Sequence, residues 1–269
     1  MSIKLVAIDL DDTLLDSGLR IAPECAQAIQ AIRDRGVLVT LATGRMHRSA
    51  LPYARQLNMD LPLITYQGAL VKSAFSSEVI YYQPLPRAPA GEIIEFFKAR
   101  GLHCHAYSDD ELFMENLTPE GRYYEELAGI KAVLVDDLAA TVRRHDAMKI
   151  MAIIRDQDLL LDLYKVLTTQ YNELHITRSK PIFLETMALK ANKGLALQVV
   201  AEHFGVIREE VLAIGDSYND LAMIRWAGIG VAMANARPEV KAAADYITSS
   251  NDEHGVAEAL HHYVLETRS

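Results

Sequence analysis

Cysteine is scarce: Cys25 and Cys104 stand far apart in no CxxC pair, which excludes a disulfide framework and a structural zinc site. Positive charge is scarce too, with 27 Lys and Arg against 36 Asp and Glu, a formal charge of −9. That excludes a broad nucleic-acid or anionic-membrane surface, although a small anionic substrate needs only a few cations. No apolar run approaches membrane-spanning length, and the one after Lys4 stops at Asp9, too short for a signal peptide, so the chain reads as cytoplasmic. Repeats and low-complexity tracts are missing as well. What is present, 50% hydrophobic and 23% charged residues over 269 positions, is ordinary for a globular protein and predicts one large or two modest α/β domains.

The most unusual stretch is IKLVAIDLDDTLL, Ile3 to Leu15. The apolar run Leu5 to Ile8 reads as a buried parallel strand, and it stops at Asp9, Asp11 and Asp12, followed by the hydroxyl of Thr13. Two carboxylates at the carboxyl edge of a sheet repel each other unless a cation lies between them. Mg²⁺, a hard ion that takes oxygen ligands and keeps waters for a phosphorylated substrate, suits such a place. Taken alone, DxD serves equally as a solvated acidic turn.

The rest of the chain supplies company for it. A helix over Pro23 to Arg35 ends at Gly36. The apolar strand Val37 to Ala42 then runs into Thr43-Gly44-Arg45, and a third strand, Leu61 to Tyr66, into Gln67-Gly68. This alternation predicts βαβ units and a parallel sheet with Asp9, Thr43 and Gly68 on one edge. Pro84, Pro86 and Pro89 mark a linker, after which paired strands and helices predict an α+β module with Asp109-Asp110 as a hairpin turn. Past Met187 the parallel pattern returns, with Lys193 opening a long helix and Val211 to Ile214 ending in Gly215-Asp216-Ser217-Tyr218-Asn219-Asp220. The predicted fold is an α/β, Rossmann-like parallel-sheet core over residues 1–83 and 188–269, with an inserted α+β cap over 84–187.

Three strand ends and one helix start thus bring together an anionic metal seat, a lysine, a hydroxyl and backbone N–H groups, the set that phosphoryl transfer demands. Asp9-Leu10-Asp11-Asp12-Thr13, Thr43-Gly44-Arg45, Lys193 and Gly215 to Asp220 resemble, in order, the four motifs of the haloacid dehalogenase superfamily. The insert is similar to the type IIB cap of its Cof-type phosphatases, many of which act on sugar phosphates. The resemblance covers essentially the whole chain. It implies that Asp9 attacks phosphorus and becomes an aspartyl-phosphate, while Asp11 protonates the leaving alcohol and later deprotonates the hydrolytic water. Magnesium would be held by Asp9, the Asp11 main-chain carbonyl and Asp216; phosphate oxygens would meet the Leu10 amide, Thr43, the Gly44 amide, Lys193 and Asn219. Asp220 would orient Lys193 or a metal-bound water. Two positions depart from the pattern: Asp12 and Gln67 stand where the family often has Gly and Asn.

The expected activity is therefore hydrolysis of a small phosphorylated metabolite, with cap closure excluding water. A phosphomutase using the same aspartyl chemistry, or a non-catalytic receiver-like phosphate-binding module, would share the motifs. No feature sets the oligomeric state or the substrate; Tyr107, Glu115 and Arg178 are candidate cap contacts by polarity alone. Other residues have plainer readings. Lys193 by itself is a solvated helix-start lysine, and Arg45 either meets substrate or pairs with a surface acid. His103 and His105 share a strand face with Cys104 opposite, a poor metal geometry. His261 and His262 face solvent near a helix end, Gly228-Ile229-Gly230 is a turn, and Leu195, Val199 and Phe204 form a core stripe.

Overall fold

A computed structural model of the chain describes residues 2–266. Its first part runs β1 (Leu5–Ile8), α1 (Pro23–Arg33), β2 (Leu38–Leu41), α2 (His47–Gln56), β3 (Pro62–Thr65), β4 (Leu70–Ser73) and β5 (Val79–Tyr82). The middle follows as α3 (Arg87–Lys98), β6 (Cys104–Ser108), β7 (Glu111–Met114), α4 (Pro119–Ala128), β8 (Val133–Leu134), α5 (Leu138–Arg144), β9 (Ala147–Ile153), α6 (Gln157–Gln170), β10 (Leu174–Thr177) and β11 (Phe183–Ala188). The last part is α7 (Lys193–His203), β12 (Val211–Gly215), α8 (Leu221–Trp226), β13 (Ile229–Ala232), α9 (Pro238–Lys241), β14 (Tyr246–Ile247) and α10 (Gly255–Leu260). Contacts divide the chain into two compact units: one reaches Gly44, resumes over Ala50–Tyr81 and again from Asn192, and the other comprises Arg45–Ser49 and Tyr82–Ala191. The borders expected at 83/84 and 187/188 thus fall at 81/82 and 191/192, and residues 45–49 group with the middle segment.

In the first unit five parallel strands lie in the order β14-β13-β12-β1-β2. All four β1 residues are fully buried because the sheet is covered on both faces, which is why LVAI shows no polar alternation. Val6 and Ile8 pack with Ile29, Ile32, Val256 and Leu260 of α1 and α10, and Leu5 and Ala7 with Leu197 and Val200 of α7. Each of the valine, leucine and isoleucine side chains among them contributes roughly 1.5–3 kcal/mol when fully buried. From β1 the chain steps to β2 on one side and later to β12 on the other. The carboxyl ends of β1 and β12 are therefore the topological switch point, where open α/β sheets hold their ligands.

β3 departs from the expected parallel strand. Just past β2 it keeps one parallel bridge, Ala42–Ile64, and Thr40 Oγ1 donates to the Pro62 carbonyl at 2.6 Å, but its ladder is antiparallel with β4, in a separate β3-β4-β5 sheet. Tyr66, Gln67 and Gly68 all have positive φ (52°, 60° and 96°), and this left-handed run turns the chain back on itself. The Leu195–Phe204 stripe of α7 is also corrected: these residues are 41% and 36% exposed. The inward face is Gly194, Ala196, Leu197, Val200 and Ala201 instead. Those small residues let α8 approach so closely that a Cβ on Gly194 would meet the Ala222 carbonyl oxygen at 2.6 Å.

The second unit is a six-stranded sheet, β10-β11-β9-β6-β7-β8, antiparallel except for the β7/β8 pair. Ala106, Ile150 and Leu184 pack beneath Ile93, Phe97, Val142, Leu160 and Leu163 of α3, α5 and α6. Asp109 and Asp110 close the β6/β7 hairpin with φ of 51° and 58°, the doubly left-handed turn that matches strand twist, made without glycine. α3 starts at Arg87, earlier than the prolines suggest, because Pro86 is its cap and Pro89 lies in the first turn, where the missing N–H has no partner to lose. Among the described residues no helix is long and apolar enough to cross a membrane.

Candidate active site

The register Ile8↔Ile214 sets the ends of β1 and β12 side by side, and the Asp9 amide extends the ladder to the Ile214 carbonyl at 3.0 Å. Asp9 is buried (4% exposed), and the chain then leaves the sheet in a tight turn, Leu14 N–H bonding the Asp9 carbonyl at 3.2 Å. Inside that turn Asp11 is extended and Asp12 left-handed (φ 62°). The departure from the family's glycine thus falls on a backbone position that glycine suits best and that Asp tolerates.

Lys193 is the first residue of α7, capped by Asn192, whose Oδ1 accepts from the Leu195 amide at 2.8 Å. A cation at the positive end of a helix dipole, with no exposed surface, is unfavourable unless anions hold it. Two do: Lys193 Nζ donates to Asp9 Oδ1 at 2.5 Å and to Asp220 Oδ1 at 2.6 Å. Asp220 Oδ2 meanwhile accepts from the amides of Asp216 and Ser217 at 3.0 and 2.9 Å. Both its oxygens are thereby engaged in holding the lysine and the loop. A Cβ on Gly215 would meet the Asp220 Cβ at 2.6 Å, so only glycine admits this close return. Thr13 Oγ1, given no role by the motif reading, donates to Asp216 Oδ1 at 3.1 Å and orients that carboxylate.

Asp9, Asp216 and Asp220 each offer an oxygen within 4.8 Å of the others. Against them stands one lysine, which leaves two negative charges uncompensated. Burial first, then Asp220, push the Asp9 carboxyl up to about 8 despite the lowering by Lys193. Burial, Asp220 and Asp9 push Asp216 up to about 9. For Lys193, burial favours the neutral amine, but Asp220 and Asp9 outweigh it and hold the pKa above the usual lysine value. At an effective dielectric near 20, each like-charged pair at this spacing costs about 3.5 kcal/mol or more. Oxygen donors and an excess of two negative charges fit a hard divalent cation. Asp220 thus joins Asp9 and Asp216 in one carboxylate cluster.

The phosphate-side residues meet through β3. Thr43 N–H bonds the Ile64 carbonyl at 2.8 Å, and Gln67 N–H bonds the Thr43 carbonyl at 3.1 Å. Gln67, 1% exposed, accepts on Oε1 from Asn219 Nδ2 at 2.8 Å. Its Nε2 lies 2.5 Å from where a Cβ on Gly44 would stand. Sequence reasoning named Gln67 only as a departure; two consecutive left-handed non-glycine residues carry no sequence signature that would have revealed its contacts.

The candidate cap residues each have a partner within the second unit. Tyr107 is buried and donates to the Tyr124 hydroxyl, Glu115 pairs with Lys98 at 2.9 Å, and Arg178 lies 5.1 Å from the Tyr164 ring. Arg45 is half-buried and groups with the second unit. His103 Nε2 and His105 Nδ1 are 3.1 Å apart, one hydrogen bond within a buried polar row.

Residues 6–260 match the family model of haloacid dehalogenase-like hydrolases. The chain is 34% identical to the 5-amino-6-(5-phospho-D-ribitylamino)uracil phosphatase YcsE of Bacillus subtilis, over 98% of this chain and 97% of that protein. It is similar in structure to a haloacid dehalogenase-like hydrolase from Bacteroides thetaiotaomicron, with TM-score 0.87 and 34% identity over 97% of this chain and 99% of that one. A second similar structure is the subclass IIB sugar phosphatase BT4131, with TM-score 0.86 and 26% identity over 97% and 98%. The chain therefore belongs to the haloacid dehalogenase-like hydrolases, among their Cof-type phosphatases of subclass IIB.

Proposed function

We propose that the protein is a magnesium-dependent phosphatase of small phosphomonoesters, of which sugar and polyol phosphates are the favoured class. The observation that carries the reading is the buried Asp9–Lys193–Asp220 chain at the switch point, with Asp216 alongside. When bound by Asp9, Asp216 and the Asp11 carbonyl, Mg²⁺ supplies the positive charge that keeps these carboxylates ionised and offsets charge on the phosphoryl oxygens. Asp9 Oδ attacks phosphorus as the bond to the ester oxygen breaks, and Asp11 gives that oxygen its proton. Water then attacks the aspartyl-phosphate, Asp11 takes the proton, and Asp9 and inorganic phosphate separate. Lys193, Thr43, the Leu10 and Gly44 amides and Asn219 hold the phosphoryl oxygens in place. The support for the substrate class comes from relatives, one of which acts on a phosphorylated ribityl chain while another is a sugar phosphatase.

The test is product analysis on a panel of sugar and polyol phosphates with Mg²⁺ and with EDTA. Stoichiometric inorganic phosphate, released only with metal, is the expected result. Organic phosphate conserved as an isomer would identify a mutase instead.

A further inference from the structure

One short turn touches two of the strand-end loops that would hold phosphate, those after β2 and β12, together with the helix start that carries Lys193. Tyr66, Gln67 and Gly68, left-handed at three successive residues, lie between β3 and β4. Gly68 faces the helix that carries Lys193: a Cβ on it would stand 2.4 Å from the Asn192 carbonyl oxygen and 3.0 Å from the Lys193 amide. Gln67 faces the other two loops, with its amide nitrogen against Gly44 and its oxygen taking the Asn219 side-chain N–H at 2.8 Å. Its main-chain N–H is anchored on Thr43. Left-handed backbone at Tyr66 and Gln67 costs energy that surrounding structure has to offset, and such strain concentrates where geometry is functional. Asn219 Oδ1, closed off from solvent, has no hydrogen-bond partner among the described residues, so the bond through Nδ2 is what orients this carboxamide.

Resting on the phosphatase reading, we propose that the 66–68 turn assembles the phosphate cradle and that Gln67 is its positioning residue, acting through Asn219. Gln67 touches no reacting atom. It fixes which way the Asn219 amide points and how closely the Gly44 amide can approach, and a displacement of about 1 Å in such a group costs on the order of a hundredfold in rate.

The test is a double-mutant cycle on the full chain with Mg²⁺, reading kcat and KM for an aryl phosphate and the affinity for inorganic phosphate by calorimetry. Gln67→Met keeps the volume and deletes the hydrogen bond. Gln67→Asn shortens the reach, and serves if the first variant does not fold. Each, like Asn219→Ala, is expected to lower kcat/KM about a hundredfold. Combining Gln67→Met with Asn219→Ala is expected to cost no more than about threefold beyond either alone, because both break one link. Losses that multiply, or a Gln67 variant with a lowered melting temperature and unchanged kcat/KM, would overturn the proposal. A wild type that binds phosphate without hydrolysing any ester would sink the phosphatase reading instead, and the same cycle would then be read in phosphate affinity. Wild type that neither binds phosphate nor hydrolyses an ester would remove both.

Discussion

Lys193 sits where a lysine is hardest to keep: at a helix N-terminus, fully buried, against two carboxylates. Replacing it with methionine preserves much of the volume but strands those anions. Lys193→Met is expected to cost about 3–5 kcal/mol of stability at pH 8 in urea unfolding, and less at pH 5, where the carboxyls can take up protons. An unchanged midpoint would show that the pair is not held as described. The aspartates give a second expectation. Unfolded, Asp9 and Asp216 ionise near the ordinary 3.8, whereas folded they do so at about 8 and about 9. Between those values the folded, metal-free protein binds more protons than the unfolded chain, so the stability present at low pH is lost as pH rises through 8 to 9. Cation binding needs the ionised forms and releases their protons. The melting temperature in EDTA should therefore fall from pH 6 to pH 9, while the increase given by Mg²⁺ grows across the same range. A Mg²⁺ increment independent of pH would contradict this.

At the scale of elements, the acidic strand ends were legible because buried parallel strands are apolar throughout, so the residue that ends LVAI stands out. The Asp109-Asp110 hairpin was legible from strand-like flanks on both sides of a two-residue gap. β8 was not, being two exposed residues, and neither was α5, a seven-residue helix whose one clear signal is Asp137 accepting from the Ala140 amide at 2.9 Å. The α7 stripe misled because apolar spacing marks a face without saying which face a neighbour needs; close helix packing on α8 selected glycine and alanine. The 66–68 turn escaped because Tyr and Gln give no hint of left-handed backbone. Its glycine offers a prediction of its own. Gly68→Ala adds a Cβ against the Asn192 carbonyl at positive φ, and the cost should be about 3 kcal/mol in chemical denaturation, together with a loss of turnover. A variant as stable as wild type would mean that α7 can shift freely.

Across the whole molecule, residues far apart in sequence form one site because the parallel sheet is built from both ends of the chain. Asp9 and Asp216 are neighbours only through the β1/β12 pairing, which closes after the entire middle segment has been made. That long-range pairing, predicted from the return of the apolar-strand pattern past Met187, carried the site reading; the contacts of Thr13 and Gln67 depend on backbone geometry that the pattern does not encode. What makes that site a phosphatase, on the proposal above, is Asp9 acting as a metal-assisted nucleophile. The most direct measurement is phosphate release from an aryl phosphate by wild type and Asp9→Asn, each with Mg²⁺ and with EDTA. Turnover by the wild type with Mg²⁺ alone, and none by Asp9→Asn under either condition, is the predicted result. Wild-type rates unchanged by EDTA, or Asp9→Asn turnover comparable to wild type, would contradict it.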